Sequence, residues 1–124
     1  MQTLSKLELL SGKKQVDFLF EKGKRFNLGS FVIVWIYKDN ISPFPAQVLI
    51  SVPKKKIRKA TTRNRVKRLA KESYRKQKME FYEKLRSKKK QIQFAMIFQK
   101  ATTLTYTAID QEINLVLNRL VNKL

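Results

Sequence analysis

Twelve lysines and arginines stand between Lys54 and Lys76 against one acid, Glu72. Ammonium and guanidinium groups at this density grip phosphate, so the chemistry they offer is recognition of a polyanion rather than bond making. The usual bond-making groups are missing. The 124 residues contain no histidine and no cysteine, which excludes imidazole acid–base catalysis, thiol nucleophiles, disulfide frameworks and zinc fingers. Carboxylates remain, but Glu8, Asp17, Glu21, Asp39, Glu72, Glu80, Glu83, Asp110 and Glu112 are scattered. Asp110 and Glu112 come nearest to a pair, yet two residues apart on a helix they diverge by about 200° and read as solvated helix surface. No autonomous active site emerges from this inventory.

The net charge of +19 is a self-repulsion that a polyanionic partner would relieve, and nucleic acid is the first candidate. An anionic membrane is the rival. Against it, no apolar run approaches the roughly 18 to 20 residues of a spanning helix, and MQTLSKLELLSGKKQ lacks the apolar core of a signal peptide. A cytoplasmic protein without membrane contact is expected. With 43% hydrophobic residues and eight phenylalanines, residues 1–124 are expected to fold as one domain.

The elements that position the cations follow from periodicity. SGKKQVDFLFEKGKRF predicts a short helix lined by Val16, Leu19, Phe20 and Phe18, stopping at Gly23 in a left-handed cap. SFVIVWIYKDN predicts a strand that is apolar on both faces, Phe31, Ile33, Trp35 and Tyr37 on one and Val32, Val34 and Ile36 on the other. Such a strand is covered on both sides, or covered on one and used for binding on the other. AQVLISVPKK predicts a second strand ending near Pro53, and QIQFAMIFQK a third. SKKK decorates the loop before that third strand. The closing TYTAIDQEINLVLNRLVNKL carries Ile109, Ile113, Val116, Leu117, Leu120 and Leu124 at helical spacing. The order describes an α+β sandwich.

Within the basic segment, KKKIRKA reads as a loop and Thr61 or Thr62 as the N-cap of a helix. That helix turns Val66, Leu69, Ala70 and Ser73 inward, with Tyr74 at the edge, while Arg63, Lys67, Lys71 and Arg75 step by four along another face. Ordinary surface helices mix signs at this spacing. Like-charge pairs each cost roughly 0.2–0.5 kcal/mol, a cost that a phosphate backbone reverses in sign. Asn64 between Arg63 and Arg65 adds an amide to two guanidinium forks, spread about 100° apart near the helix start where backbone N–H groups also favour anions.

The string ATTRNRVKRLAKESYR, read with VLISVPKKK before it, resembles the signature of the protein subunit of bacterial ribonuclease P. The likeness covers nearly the whole chain, from FEKGKRF through SFVIVWIY to the final strand and helix. It implies a single-domain α-β-β-β-α-β-α sandwich similar to a domain of a small-subunit ribosomal protein, with a further short strand near Lys24 to Phe26 and a left-handed β-α-β crossover. It implies an accessory role: a large RNA subunit with bound Mg²⁺ removes the 5′ leader of precursor tRNA, and one copy of the protein binds that RNA and the leader. Arg63, Asn64, Arg65, Lys67, Arg68 and Lys71 match the arginine-rich motif, with Lys54, Lys55, Lys56, Arg58, Lys59 and Arg75 extending the expected RNA surface. Phe20, Val32 and Val34, with Val16, match a leader cleft between the first helix, the sheet and the basic helix. Val16 and Val34 stand where many members carry aromatics, which shifts the expected grip towards charge and shape. The loop before Thr61 lacks a glycine that members usually place near Arg58 and is one residue longer. A ribosomal-type RNA-binding or RNA-chaperone protein of the same fold is the alternative.

Overall fold

A computed structural model describes residues 3–39 and 43–124. After a short 3-10 turn (Lys6–Glu8), the elements run α1 (Lys13–Lys22), β1 (Lys24–Leu28), β2 (Phe31–Tyr37), β3 (Ala46–Ser51), α2 (Ala60–Ser87), β4 (Ile92–Phe98) and α3 (Tyr106–Lys123). This is the α+β order expected. The strands form one sheet in the order β1-β2-β4-β3, antiparallel except for β3 and β4, which lie parallel and are joined across α2.

The double-sided hydrophobicity of β2 is explained by what covers it. Phe31, Ile33 and Trp35 face the main core, where Val48, Ile50, Phe94, Met96 and Phe98 meet α2 and α3. Val34 faces the other way, with Leu10, Leu19 and Ala95 beneath α1, and Val16, Phe20, Leu49 and Ile97 packed around them. The layers are therefore α1, sheet, then α2 and α3 together. Phe18, read as part of the α1 lining, is instead exposed. The neighbouring Leu19 takes the buried position.

β1 runs two residues beyond the expected stretch, to Leu28. It is an edge strand with only Phe26 and Leu28 partly covered, which is why its alternation is faint. Gly23 ends α1 with φ −70° and ψ 154°, extended rather than left-handed. Its glycine has another cause. A Cβ there would lie 2.5 Å from the Leu19 carbonyl oxygen and 2.7 Å from Val34 Cγ1, so only a bare Cα lets α1 turn this tightly onto β2. Gly29 does have a positive φ, +56°, in the β1–β2 turn, and its lack of a side chain leaves room for the Glu112 carboxylate, which accepts the Ser30 N–H.

The two acids expected on solvated surface are structural. Asp110 Oδ1 accepts from Ser73 Oγ at 2.7 Å and from Gln77 Nε2 at 3.1 Å, tying α3 to α2, while Glu112 holds the turn. Glu8 is buried with Lys78 and Tyr82: Lys78 Nζ lies 2.9 Å from Oε2, and Tyr82 donates to Oε2 at 2.7 Å. The amino-terminal segment is thereby strapped to α2, and the Leu10 N–H donates to the Val48 carbonyl at 2.9 Å along the outer edge of β3. Among the described residues no helix is long and apolar enough to cross a membrane.

Candidate nucleic-acid interface

The amino-terminal end of α2 is built against the usual helix rules. Its N-cap is Lys59 with no side-chain cap, and its first turn has no acid. The helix begins at Ala60, so Thr61 and Thr62 fall inside the first turn rather than capping it. Exposed Arg58, Lys59 and Arg65 thus sit beside unpaired N–H groups at the positive end of the helix dipole. An anion answers both.

The preceding loop is held in place rather than draped in solvent. Ile57 is buried in the core, and the Lys56 N–H donates to the Pro53 carbonyl at 3.0 Å. Arg63 Nη1 donates to the carbonyls of Ile57 and Arg58 at 3.0 and 2.7 Å. Arg63 is therefore a brace for the loop, with part of its donor set turned away from any ligand. Lys54, Lys55, Lys56, Arg58 and Lys59 project from this fixed loop and are all exposed.

Along the helix, Val66, Ala70 and Ser73 are fully buried as the spacing requires, while Tyr74, expected at the edge, is also fully buried and Leu69 is only half-buried. Asn64, Lys67, Arg68 and Lys71 come together around one open groove, whose far wall includes Leu4. Arg65 projects from the other flank, about 200° from Lys67. Lys67 and Lys71 form the expected line, but Arg75 is taken by an acid. Its Nη2 and Nε lie 2.6 and 3.1 Å from the two Glu72 oxygens. Hydrogen bonding from Arg75 holds the Glu72 carboxyl below its usual range. The cationic line is thus strongest at its two middle positions, Lys67 and Lys71. Leu4 reaches the groove only because Glu8 straps its segment to α2, for which the sequence offers no local signal.

The expected leader cleft is rearranged. Val16, Phe20 and Val32 are half-buried on the α1 face of the sheet, but α2 packs on the opposite face. Val34 is 0% exposed and supports the cleft from beneath, so it cannot touch a ligand. Phe20 is bracketed by Arg25, whose guanidinium carbon lies 5.8 Å from the ring centroid and whose Nη2 donates to the Phe20 carbonyl at 3.1 Å. The floor is completed by amides: Gln93 Nε2 donates to Gln15 Oε1 at 3.0 Å and Gln47 Oε1 at 2.9 Å. A cation beside a half-open ring, over a polar floor, fits an unstacked base better than a duplex. Among the described residues, no three of Asp and Glu gather as a metal site would require.

A family model described as Ribonuclease P matches residues 4–121. A Ribonuclease P protein component of Porphyromonas gingivalis is 38% identical over 72 residues, covering 58% of this chain and 53% of that protein. One from Legionella pneumophila is 35% identical over 75 residues, covering 60% and 63%. The chain thus matches a little more than half the length of these curated relatives. Among solved structures, the RNase P protein of Staphylococcus aureus aligns with TM-score 0.69 at 19% identity over 91% of this chain and 94% of that one. That of Thermotoga maritima aligns with TM-score 0.67 at 22% identity, over 90% and 96%. These alignments establish a shared fold.

Proposed function

The chain belongs to the Ribonuclease P family, and on that footing we propose that it is the RNA-binding subunit of a ribonuclease P holoenzyme. The observation that carries this reading is the uncapped amino-terminal end of α2, where Asn64, Lys67, Arg68 and Lys71 share one groove beside a braced loop of cations. Each lysine or arginine set against a phosphate releases condensed counterions, so the groove and loop bind structured RNA through its backbone. One copy sits on the RNA subunit by this surface.

The α1 face takes the 5′ leader of precursor tRNA. Phe20 with Arg25 offers one stacking platform, Val16 an apolar wall, and half-exposed Val32, paired opposite Ile97 on the same sheet face, another apolar surface. With one ring rather than several, the leader is held mainly by charge and by the shape of the cleft. Hydrolysis of the leader phosphodiester belongs to the RNA subunit and the Mg²⁺ it binds, while this chain raises affinity for leader-bearing substrate.

Reconstitution with ribonuclease P RNA tests the proposal. The protein is expected to lower the KM for precursor tRNA and to leave the KM for a leaderless substrate nearly unchanged. Equal help on both substrates would reduce the chain to a general RNA binder, and help on neither would end the proposal.

A further inference from the structure

At the opposite end of α2 lies a second cationic surface that the leader-binding role leaves unassigned. The helix has 28 residues, about 42 Å at 1.5 Å each, so the two ends are well separated. Arg86, Lys88, Lys89 and Lys90 are exposed there, and Lys38 joins them because its N–H donates to the Gln91 carbonyl at 3.0 Å. Two aromatic rings emerge through this charge. Phe18 and Tyr37 are each 43% exposed, with Lys38 Nζ 5.2 Å from the Phe18 centroid and Lys90 Nζ 5.0 Å from that of Tyr37. Tyr37 is backed edge-on by Trp35 at 5.3 Å. Asp39 borders the patch, in a groove with Arg86, Lys89 and Lys90. Among the described residues Lys38, Lys88, Lys89 and Lys90 form no ion pair.

Cations suit a helix C-terminus, which accounts for Lys88 and Lys90. It does not account for Lys89. The Lys90 N–H donates to the Leu85 carbonyl and the Lys89 N–H to that of Arg86, both at 3.0 Å, closing the helix in the manner that normally places glycine at position 89. Lys89 adopts φ +56° there, and its exposed side chain gains no packing in return. Charge has been kept at the expense of local backbone ease.

We propose that Phe18, Tyr37, Lys38 and Lys88 to Lys90 form a further RNA-binding site, for a single-stranded segment distinct from those held by the amino-terminal end of α2 and by the Phe20 cleft. Bases stack on the Phe18 and Tyr37 rings, and the lysines now lying over those rings move to the flanking phosphates. Single-stranded RNA is favoured over a duplex because a duplex keeps its base faces covered. A membrane fits less well, since the rings are separated and sheathed by lysine rather than joined in one apolar patch. The inference rests on the RNA partnership proposed above.

The test uses the full chain and a uridine oligonucleotide of about six nucleotides, within the site size of single-strand binders and too short to bridge both ends of α2. Beyond what the Phe20 cleft and the α2 groove hold, one further oligonucleotide per protein is expected. With 5-iodouridine substituted, photo-crosslinks should form at Phe18 or Tyr37 and persist in Arg65→Ala/Arg68→Ala. Tyr37→Ser should weaken one binding step about tenfold, a step that Phe20→Ala leaves unchanged. Lys38→Ser with Lys90→Ser should flatten the salt slope of that step by about 0.7 per lost phosphate contact. Lys89→Gly should weaken the same step while raising the melting temperature, a pair of opposite effects that a purely structural lysine would not give. Oligonucleotide binding abolished altogether by Arg65→Ala/Arg68→Ala combined with Phe20→Ala would overturn the further site, as would its displacement by phosphatidylserine vesicles but not by RNA. Failure of the parent protein to bind any oligonucleotide would instead strike the RNA partnership itself.

Discussion

Glu72 decides how strongly the groove on α2 attracts phosphate, because it is the one carboxylate among the residues lining it. Its pairing with Arg75, and a weaker approach to Lys76 at 3.9 Å, sets a local negative charge against Lys67, Arg68 and Lys71. Glu72→Gln keeps the size and removes that charge. RNA affinity is expected to rise and the dependence of log K on log salt to steepen, whereas Arg68→Ala should flatten it by about 0.9 for the lost phosphate contact. Salt titration of binding to ribonuclease P RNA reads both, and a Glu72→Gln variant that binds more weakly would show the carboxylate to be organising the site. The identities of the cations are plain in the sequence, but their roles are not. The spacing of three between Glu72 and Arg75 carries the pairing signal, masked by the like-charge steps of four from Arg63. Nothing local announces that Arg63 turns back to hold the Ile57 and Arg58 carbonyls, since that depends on where Ile57 is buried.

At the scale of elements, α2 is two helices in one: a cationic first half that meets a ligand and a second half that supplies core. Tyr74, Phe81, Tyr82 and Leu85 are buried, and Tyr74 donates to Tyr82, which donates to Glu8. Strands β2 and β4 and helix α3 are legible in the sequence because their apolar periods are complete. β1 is faint because an edge strand needs little cover, and the amino-terminal strap is invisible because a buried ion pair between residues 8 and 78 has no period at all. Burial alone would raise the Glu8 carboxyl, but hydrogen bonds from Lys78, the Ser5 N–H and Tyr82 outweigh it and hold the group below the ordinary range of a glutamate. A carboxyl depressed in the folded state contributes stability above its unfolded pKa and loses it as pH falls through the folded value. Stability should therefore drop below about pH 4, less steeply in Glu8→Gln, which begins lower by about 3 kcal/mol because Lys78 is left buried without its partner. Tyr74 and Tyr82 are pushed upward from 10.0, chiefly by burial. Their contribution is complete below about pH 10 and declines above it, more gently in Tyr82→Phe. Denaturant titrations across both limbs check the assignment. On the first half of the helix, Val66→Asp should cost more than about 4 kcal/mol, since a carboxylate at a fully buried position has no cation to meet it. A variant melting like the parent would mean that α2 does not seat on the sheet through Val66.

For the molecule as a whole, a charge of +19 on 124 residues opposes compaction, and the ion pairs among the described residues answer few of the 28 cations. The fold is nevertheless well supplied with core on both faces of its sheet, so the repulsion is a tax on a stable architecture rather than a barrier to forming it. Relief by simple screening and relief by site binding make different predictions. Screening depends on ionic strength alone, so chloride and sulfate at matched ionic strength would raise the melting temperature equally. Binding at the uncapped end of α2, beside Lys59, Arg65 and the braced loop, depends on the anion's charge and its capacity to accept several N–H bonds at once. Sulfate or phosphate is therefore expected to stabilise beyond chloride. At a concentration a hundredfold above its dissociation constant the gain is about 2.7 kcal/mol, or roughly 10 °C for a chain of this size. The increment should shrink in Arg65→Ala/Arg68→Ala and persist in Glu8→Gln, whose change lies in the strap rather than at the helix end. Equal melting temperatures in chloride and sulfate would instead mean that the charge is answered diffusely, and that the end of α2 acquires its anion site only when RNA arrives.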